Sequence, residues 1–154
     1  MLKTFKSLQM DGKCEYTPPY RHLNDLLKFT KTHNIDLRHT PTACKNQTSD
    51  RPFILFGIKS MPKSTEMRKT LRETWLNPIY WEAIGVDIKV VFLVASTNNG
   101  LSSEIAKYGD ILQVDFDETH YLLPLKDIAF LNYFRDYCQQ ANFLFKGTVQ
   151  KLNL

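Results

Sequence analysis

The chain has 154 residues, 43% hydrophobic and 12% aromatic, which suits one globular unit able to bury a core. Twenty basic against sixteen acidic residues leave a net charge of +4 without a long Lys/Arg block, so composition gives little support to a nucleic-acid or membrane-surface binder. No run approaches the ~18 apolar residues of a bilayer span, Met1–Lys6 carry no apolar run of the signal-peptide kind, and three cysteines (Cys14, Cys44, Cys138) are too few and too odd in number for a disulfide scaffold.

Residues 1–20 are polar and end in Pro18-Pro19-Tyr20, where the paired prolines stop any helix from running through. Leu23, Leu26, Leu27 and Thr30 have helical spacing and predict a short helix over 21–31. Residues 34–50 are polar, with Pro and several Thr and Asn, and read as a linker. Character changes at Arg51-Pro52. Phe53–Ile58 is a continuous apolar run, as expected of a strand buried on both faces. Ser64 is a reasonable N-cap for a helix over 65–75, with Glu66 in its first turn and Met67, Leu71 and Trp75 as a core-facing stripe.

Ile88–Val94 is a second buried strand, and Asn98-Asn99-Gly100 is turn chemistry. Leu101–Tyr108 reads as a short helix closed by Gly109. Ile111–Val114 is a third strand. Pro124 suits the first turn of a helix reaching about Gln140, with Leu125, Ile128, Ala129, Phe130, Tyr133, Phe134 and Tyr137 on its apolar face. Asn142–Lys146 is a fourth strand. The alternation of strand and helix predicts an α/β fold with a mostly parallel sheet.

In such sheets ligands bind beyond the carboxyl ends of the strands. Those ends are Lys59-Ser60, Ala95-Ser96, Asp115 and Lys146-Gly147. Lys59 and Ser60 can offer a cation and a hydroxyl to an anion, or form a solvated turn. Arg68 and Arg72 share a helix face and can fork onto phosphate oxygens. Their plainer role is a salt-bridged face with Glu66 and Glu73.

The acidic segment Asp110, Asp115, Asp117, Glu118 can bind a hard cation or be a solvated connection. His120 stands alone. Cys14, His22, His33, His39 and Cys44 lack zinc-finger spacing. No Gly-rich phosphate loop, GxSxG elbow or HExxH motif is present. Asn46-Gln47-Thr48 is an N-glycosylation sequon in the linker.

Four ordered blocks resemble glycosyltransferase family 31, the β-1,3-galactosyltransferase and β-1,3-N-acetylglucosaminyltransferase group. They are Phe53–Ser60, the opening strand; Arg68-Lys69-Thr70-Leu71-Arg72-Glu73-Thr74-Trp75, similar to an R-x-x-x-R-E-T-W helix; Tyr108–Phe116 with Tyr121 and Leu125-Lys126; and Cys138 with Phe143–Gly147. The resemblance covers about residues 51–147. It implies the N-terminal, nucleotide-binding half of a GT-A (Rossmann-like) fold, left incomplete. It also implies transfer of a hexose or N-acetylhexosamine from a UDP-sugar to a glycan acceptor in β-1,3 linkage, with Mn²⁺ bridging the diphosphate to an Asp-x-Asp motif. The implied setting is the Golgi membrane or lumen, with a signal-anchor.

By that resemblance Lys59, Ser60, Arg68 and Arg72 are donor-site candidates, Lys126 and Asp115 are pocket or structural positions, and Trp75 is core. The chain departs from the pattern after Gly147, where Thr148-Val149-Gln150 replace the acidic triplet. The metal motif, the catalytic base and the membrane anchor are thus absent from the written sequence. The expectation is a stem or linker over 1–50, a partial transferase unit over 51–147 and a divergent tail over 148–154, without efficient sugar transfer. Two alternatives accompany it: a UDP-binding or partner-binding remnant that pairs with a full-length transferase, and an unrelated α/β binding module. Cys44 and Cys138 are candidates to pair in an oxidising lumen.

Overall fold

The computed structural model describes residues 35–44, 50–96, 100–119 and 122–149. The helix expected over 21–31, the sequon asparagine Asn46, His120 and the tail from residue 150 lie outside these. Five strands form one sheet: β1 (Leu37–His39), β2 (Phe53–Lys59), β3 (Asp87–Ala95), β4 (Ile111–Val114) and β5 (Phe143–Thr148). Their order is β1-β4-β3-β2-β5. All pairings are parallel except β1 with β4. The α/β, mostly parallel architecture is therefore as the alternation predicts.

The connections explain this order. After β2 come α1 (Thr65–Glu73) and α2 (Pro78–Glu82), then β3; α3 (Ser102–Tyr108) leads to β4. Each step adds a strand on the same side. α4 (Leu123–Tyr137) then carries the chain back across to β5, on the far side of β2. Parallel crossovers are right-handed, so reversing direction puts the returning helix on the opposite face. The core accordingly has two halves. Leu55, Val91, Leu93 and Val114 pack with Leu125, Ala129, Phe130 and Tyr133 of α4. Phe56, Ile58, Phe92 and Val94 pack with Leu71, Leu76, Trp81 and Ile105 on the other side. Alternation along β2 and β3 feeds both faces, which is why these strands read as unbroken apolar runs.

Gly57 lies where α4 comes closest to the sheet. A Cβ there would stand 2.7 Å from the Phe130 ring, so the aromatic occupies the space a side chain would take.

Three readings change. Residues 37–39 are a strand, where a linker over 34–50 is predicted. Ile35 and Leu37 turn into the core while Arg38 binds Asp115, a pattern too short to register as alternation. The first helix ends at Glu73, and Leu76 is buried in the place expected for Trp75, which is 47% exposed. Trp75 instead meets Phe56 edge-on at 5.8 Å, and its carbonyl accepts from Trp81 Nε1 at 2.6 Å. Residues 78–82, beyond the helix predicted over 65–75, form α2, with Asn77 accepting from the Ile79 amide and Pro78 in the first turn.

Cys44 and Cys138 form a disulfide, with Cα atoms 5.4 Å apart. It fastens the β1 segment to the end of α4, helped by Gln140 Nε2 to the Cys44 carbonyl at 3.0 Å and Tyr133 Oη to the Pro41 carbonyl at 3.2 Å. Burial pushes the Tyr133 phenol up to about 12, which keeps it a neutral donor.

Candidate functional site

The strand order reverses between β2 and β5, and a crevice opens beyond their carboxyl ends. A cavity of about 740 Å³ lies there. Lys59 and Ser60 come from β2 and its end, Thr148 and Val149 from the end of β5 and the residue after it, Ser64 and Met67 from the start of α1, and Lys126 from α4. A second cavity of about 560 Å³ adjoins it, lined by Met61, Pro62, Lys63, Thr65, Gly100, Leu101 and Glu118. Met61, Lys63 and Glu118 belong to both. The α1 N-terminus borders this space and favours negative charge. Ser64 holds the N-cap position predicted for it, but its side chain makes no capping hydrogen bond.

The predicted site residues take two different places. Lys59 and Ser60 line the cavity. Lys59 Nζ donates to Asp127 Oδ2 at 2.9 Å, and Lys146 Nζ lies 3.5 Å from Oδ1 of the same carboxylate. Arg68 and Arg72 are not among the lining residues. Arg68 is 0% exposed, and its guanidinium is fully engaged. Nε and Nη2 donate to the two oxygens of Glu104 at 2.8 and 2.6 Å. Nη1 donates to Ser60 Oγ at 2.9 Å and the Met61 carbonyl at 2.7 Å. Nη2 also reaches the Pro62 carbonyl and Thr65 Oγ1, both at 3.1 Å. One buried cation thereby fixes the backbone that follows β2.

Arg72 forks onto Asp110 at 2.7 and 2.8 Å and reaches Glu104 at 2.9 Å. Its guanidinium carbon lies 3.9 Å from the centre of the Tyr108 ring and 4.7 Å from that of Phe92. The partners are therefore Glu104 and Asp110, not the Glu66 and Glu73 of the same helix. Burial opposes the charge on Arg72, but the bonds and charges of Asp110 and Glu104 outweigh it and raise its pKa. Burial likewise opposes ionisation of Glu104, and the two arginines more than reverse this, lowering its pKa.

Lys126 is the cation that spacing could not assign. Its side chain is 0% exposed, yet it borders the cavity. Nζ donates to the Ser60 carbonyl at 3.0 Å and to Glu118 Oε1 at 2.6 Å. Burial pushes its ammonium below the usual lysine range; Glu118 opposes this, and the nearby charges of Lys59 and Arg68 add to it. A lysine inside the apolar face of α4 is the available sequence signal. Asp115, also a strand-end residue, binds Ser96 Oγ and Arg38 Nε, each at 2.7 Å. The Ser96 hydroxyl and then Arg38 hold its carboxyl below the usual range.

Among the described residues no group of three or more His, Cys, Asp or Glu gathers as metal ligands would. Thr148 and Val149 follow Gly147 without a carboxylate. The described residues thus offer no ligand set for Mn²⁺. No described helix is long and apolar enough to cross a membrane.

Comparison with known proteins gives one consistent result. The family model described as Galactosyltransferase matches residues 66–147. Human N-acetyllactosaminide beta-1,3-N-acetylglucosaminyltransferase 4 is 33% identical over 134 residues, covering 84% of this chain and 34% of that protein. Human N-acetyllactosaminide beta-1,3-N-acetylglucosaminyltransferase 3 is 33% identical over 138 residues, 82% of this chain and 36% of its own length. Human beta-1,3-galactosyltransferase 5 is 28% identical over 123 residues, 77% and 36% respectively. The chain thus spans about a third of the length of these relatives.

Proposed function

The chain belongs to the galactosyltransferase family, and from that premise we propose that the crevice between β2 and β5 is the donor site of a hexosyltransferase, with a UDP-sugar as its ligand class. The observation that supports this best is the cavity itself. It sits at the reversal of strand order, where nucleotides bind in open α/β sheets, and it is lined by Lys59, Lys63 and Lys126 beside the N-terminus of α1. Three ammonium groups against the carboxylates of Glu66 and Glu118, with a helix start beside them, suit a diphosphate. Lys59 and Ser60 serve as contacts. Arg68 and Arg72 serve the donor indirectly, by fixing residues 60–65 and the start of β4.

Acceptor and linkage follow the relatives, whose names describe β-1,3 transfer of N-acetylglucosamine or galactose. A disulfide between Cys44 and Cys138 fits an oxidising lumen such as the Golgi. In this reading residues 1–50 form the stem apart from the strand at 37–39, residues 51–147 the partial transferase unit, and Asn46 a glycan attachment site. In this reading the chain as written binds donor without efficient turnover, because Thr148 and Val149 follow Gly147 where the resemblance expects acidic metal ligands.

The test is titration of the full chain with UDP, together with a UDP-sugar transfer assay supplied with Mn²⁺ and several glycan acceptors. Saturable UDP binding without turnover above background is expected. No saturable binding at millimolar UDP overturns the donor-site reading, and robust turnover overturns the inactivity.

A second reading draws on the sheet edge. Among the described residues β5 is an edge strand, with Phe143 61% and Phe145 49% exposed. An apolar edge of this kind favours pairing with another chain, here a full-length transferase. Co-purification with such a transferase, abolished by Phe145→Lys, is the expected result.

A further inference from the structure

The geometry points to Lys126 as the group that takes the anion in the crevice between β2 and β5, with Glu118 as a competitor that the anion displaces. The inference rests on the donor-site reading only for which anion is bound.

An ammonium carries three donors. Lys126 uses two, on the Ser60 carbonyl at 3.0 Å and on Glu118 Oε1 at 2.6 Å. Its third finds no acceptor among the described residues. The side chain is 0% exposed but borders the cavity. A buried cation with one donor unfilled by the described residues can take an anionic oxygen arriving from the cavity, which lowers the cost of its burial. Lys59, by contrast, already shares Asp127 with Lys146. Lys63 is exposed and has much to lose in side-chain entropy when fixed. Lys126 is the cation whose position is set before any ligand arrives, since its stem lies in α4 and its head is held by the loop after β2.

Glu118 completes the arrangement. It borders both cavities; Oε1 holds Lys126, and Oε2 is buried without a hydrogen-bond partner among the described residues. A carboxylate in that state repels an incoming anion while sharing the ammonium with it. Removing its charge while keeping its shape therefore frees Lys126 for the ligand. A purely structural brace has the opposite signature, because weakening the brace loosens the site.

The experiment is calorimetric titration of the full chain with two probes, inorganic pyrophosphate and UDP, on wild type, Glu118→Gln and Lys126→Met, with thermal melts of each. Expected is a loss of about tenfold or more in pyrophosphate affinity for Lys126→Met, the scale of one charge-assisted hydrogen bond. Glu118→Gln is expected to bind pyrophosphate severalfold more tightly. Unchanged or weaker binding by folded Glu118→Gln overturns the inference, as does unchanged binding by folded Lys126→Met. If Lys126→Met does not fold, Glu118→Gln alone decides. Failure of wild type to bind pyrophosphate also overturns it. Pyrophosphate binding that depends on Lys126, with no UDP binding, sinks the nucleotide reading and upholds this one. UDP binding indifferent to both substitutions does the reverse.

Discussion

Breaking the bond between Cys44 and Cys138 is expected to take away a large part of this chain's stability. The two cysteines are 94 residues apart, so the bond closes everything from β2 to α4 into one loop. In the chain-entropy model a loop of that length restricts the unfolded ensemble by about 4.7 kcal/mol at 25 °C. Small domains are stable by roughly 5–15 kcal/mol, so the loss is a third of the total or more. It falls unevenly. β1 has three residues and one neighbour, β4, and is anchored by Arg38 to Asp115, Tyr133 to Pro41 and Gln140 to Cys44.

Reduction should therefore release β1 first and leave β2, β3 and β5 paired. The assay is urea unfolding of the full chain with and without a thiol reductant, checked against a Cys44→Ala/Cys138→Ala double variant. Hydrogen exchange then locates the loss. Expected are a lower midpoint, corresponding to about 3–5 kcal/mol, and amide protection lost in residues 37–44 ahead of β3. An unchanged midpoint, or uniform loss of protection across the sheet, would refute the reasoning.

Other substitutions probe the remaining supports. Arg68→Met strands Glu104 with Arg72 alone and takes a charged donor away from Ser60 Oγ, the Met61 and Pro62 carbonyls and Thr65 Oγ1, so a loss of about 3–5 kcal/mol is expected in denaturant unfolding. Gly57→Ala drives a methyl into Phe130 and should cost about 1–3 kcal/mol or more; pairing it with Phe130→Leu should recover part of that, as a double-mutant cycle would show. The Glu104 carboxyl has a folded pKa below its ordinary 4.5. Its contribution is therefore present above the unfolded value and lost as pH falls through the folded one. Glu104→Gln should flatten the acid limb of a stability-against-pH curve measured from pH 6 to pH 3, and an unaltered limb would exclude Glu104 as its source.

The parallel sheet was legible because β2 and β3 each bury both faces, and that demand writes an unbroken apolar run into the sequence. β1 was not, because three residues with alternate contacts leave no period to detect. The strand ends point to where a ligand would bind, and Lys59 and Ser60, at one such end, line the cavity. The roles of Arg68 and Arg72 did not follow. Spacing shows that two arginines share a helix face; it does not show whether that face looks outward or into the protein.

Their acidic partners lie 32 to 38 residues away, on α3 and just before β4. A local search along α1 finds Glu66 and Glu73 instead. The usual rule then works against the reader, because a helix face with two arginines is ordinarily the solvated one, whereas here Arg68 is the only fully buried residue of α1. Burial of a guanidinium requires acceptors on every side, and the turn after β2, Thr65 and Glu104 supply them. Lys126 obeys the same logic from α4: its ammonium needs the Ser60 carbonyl that Arg68 holds in place through Met61 and the Ser60 hydroxyl. Two buried cations from opposite faces of the sheet thus converge on one loop, and the shape of the cavity depends on both.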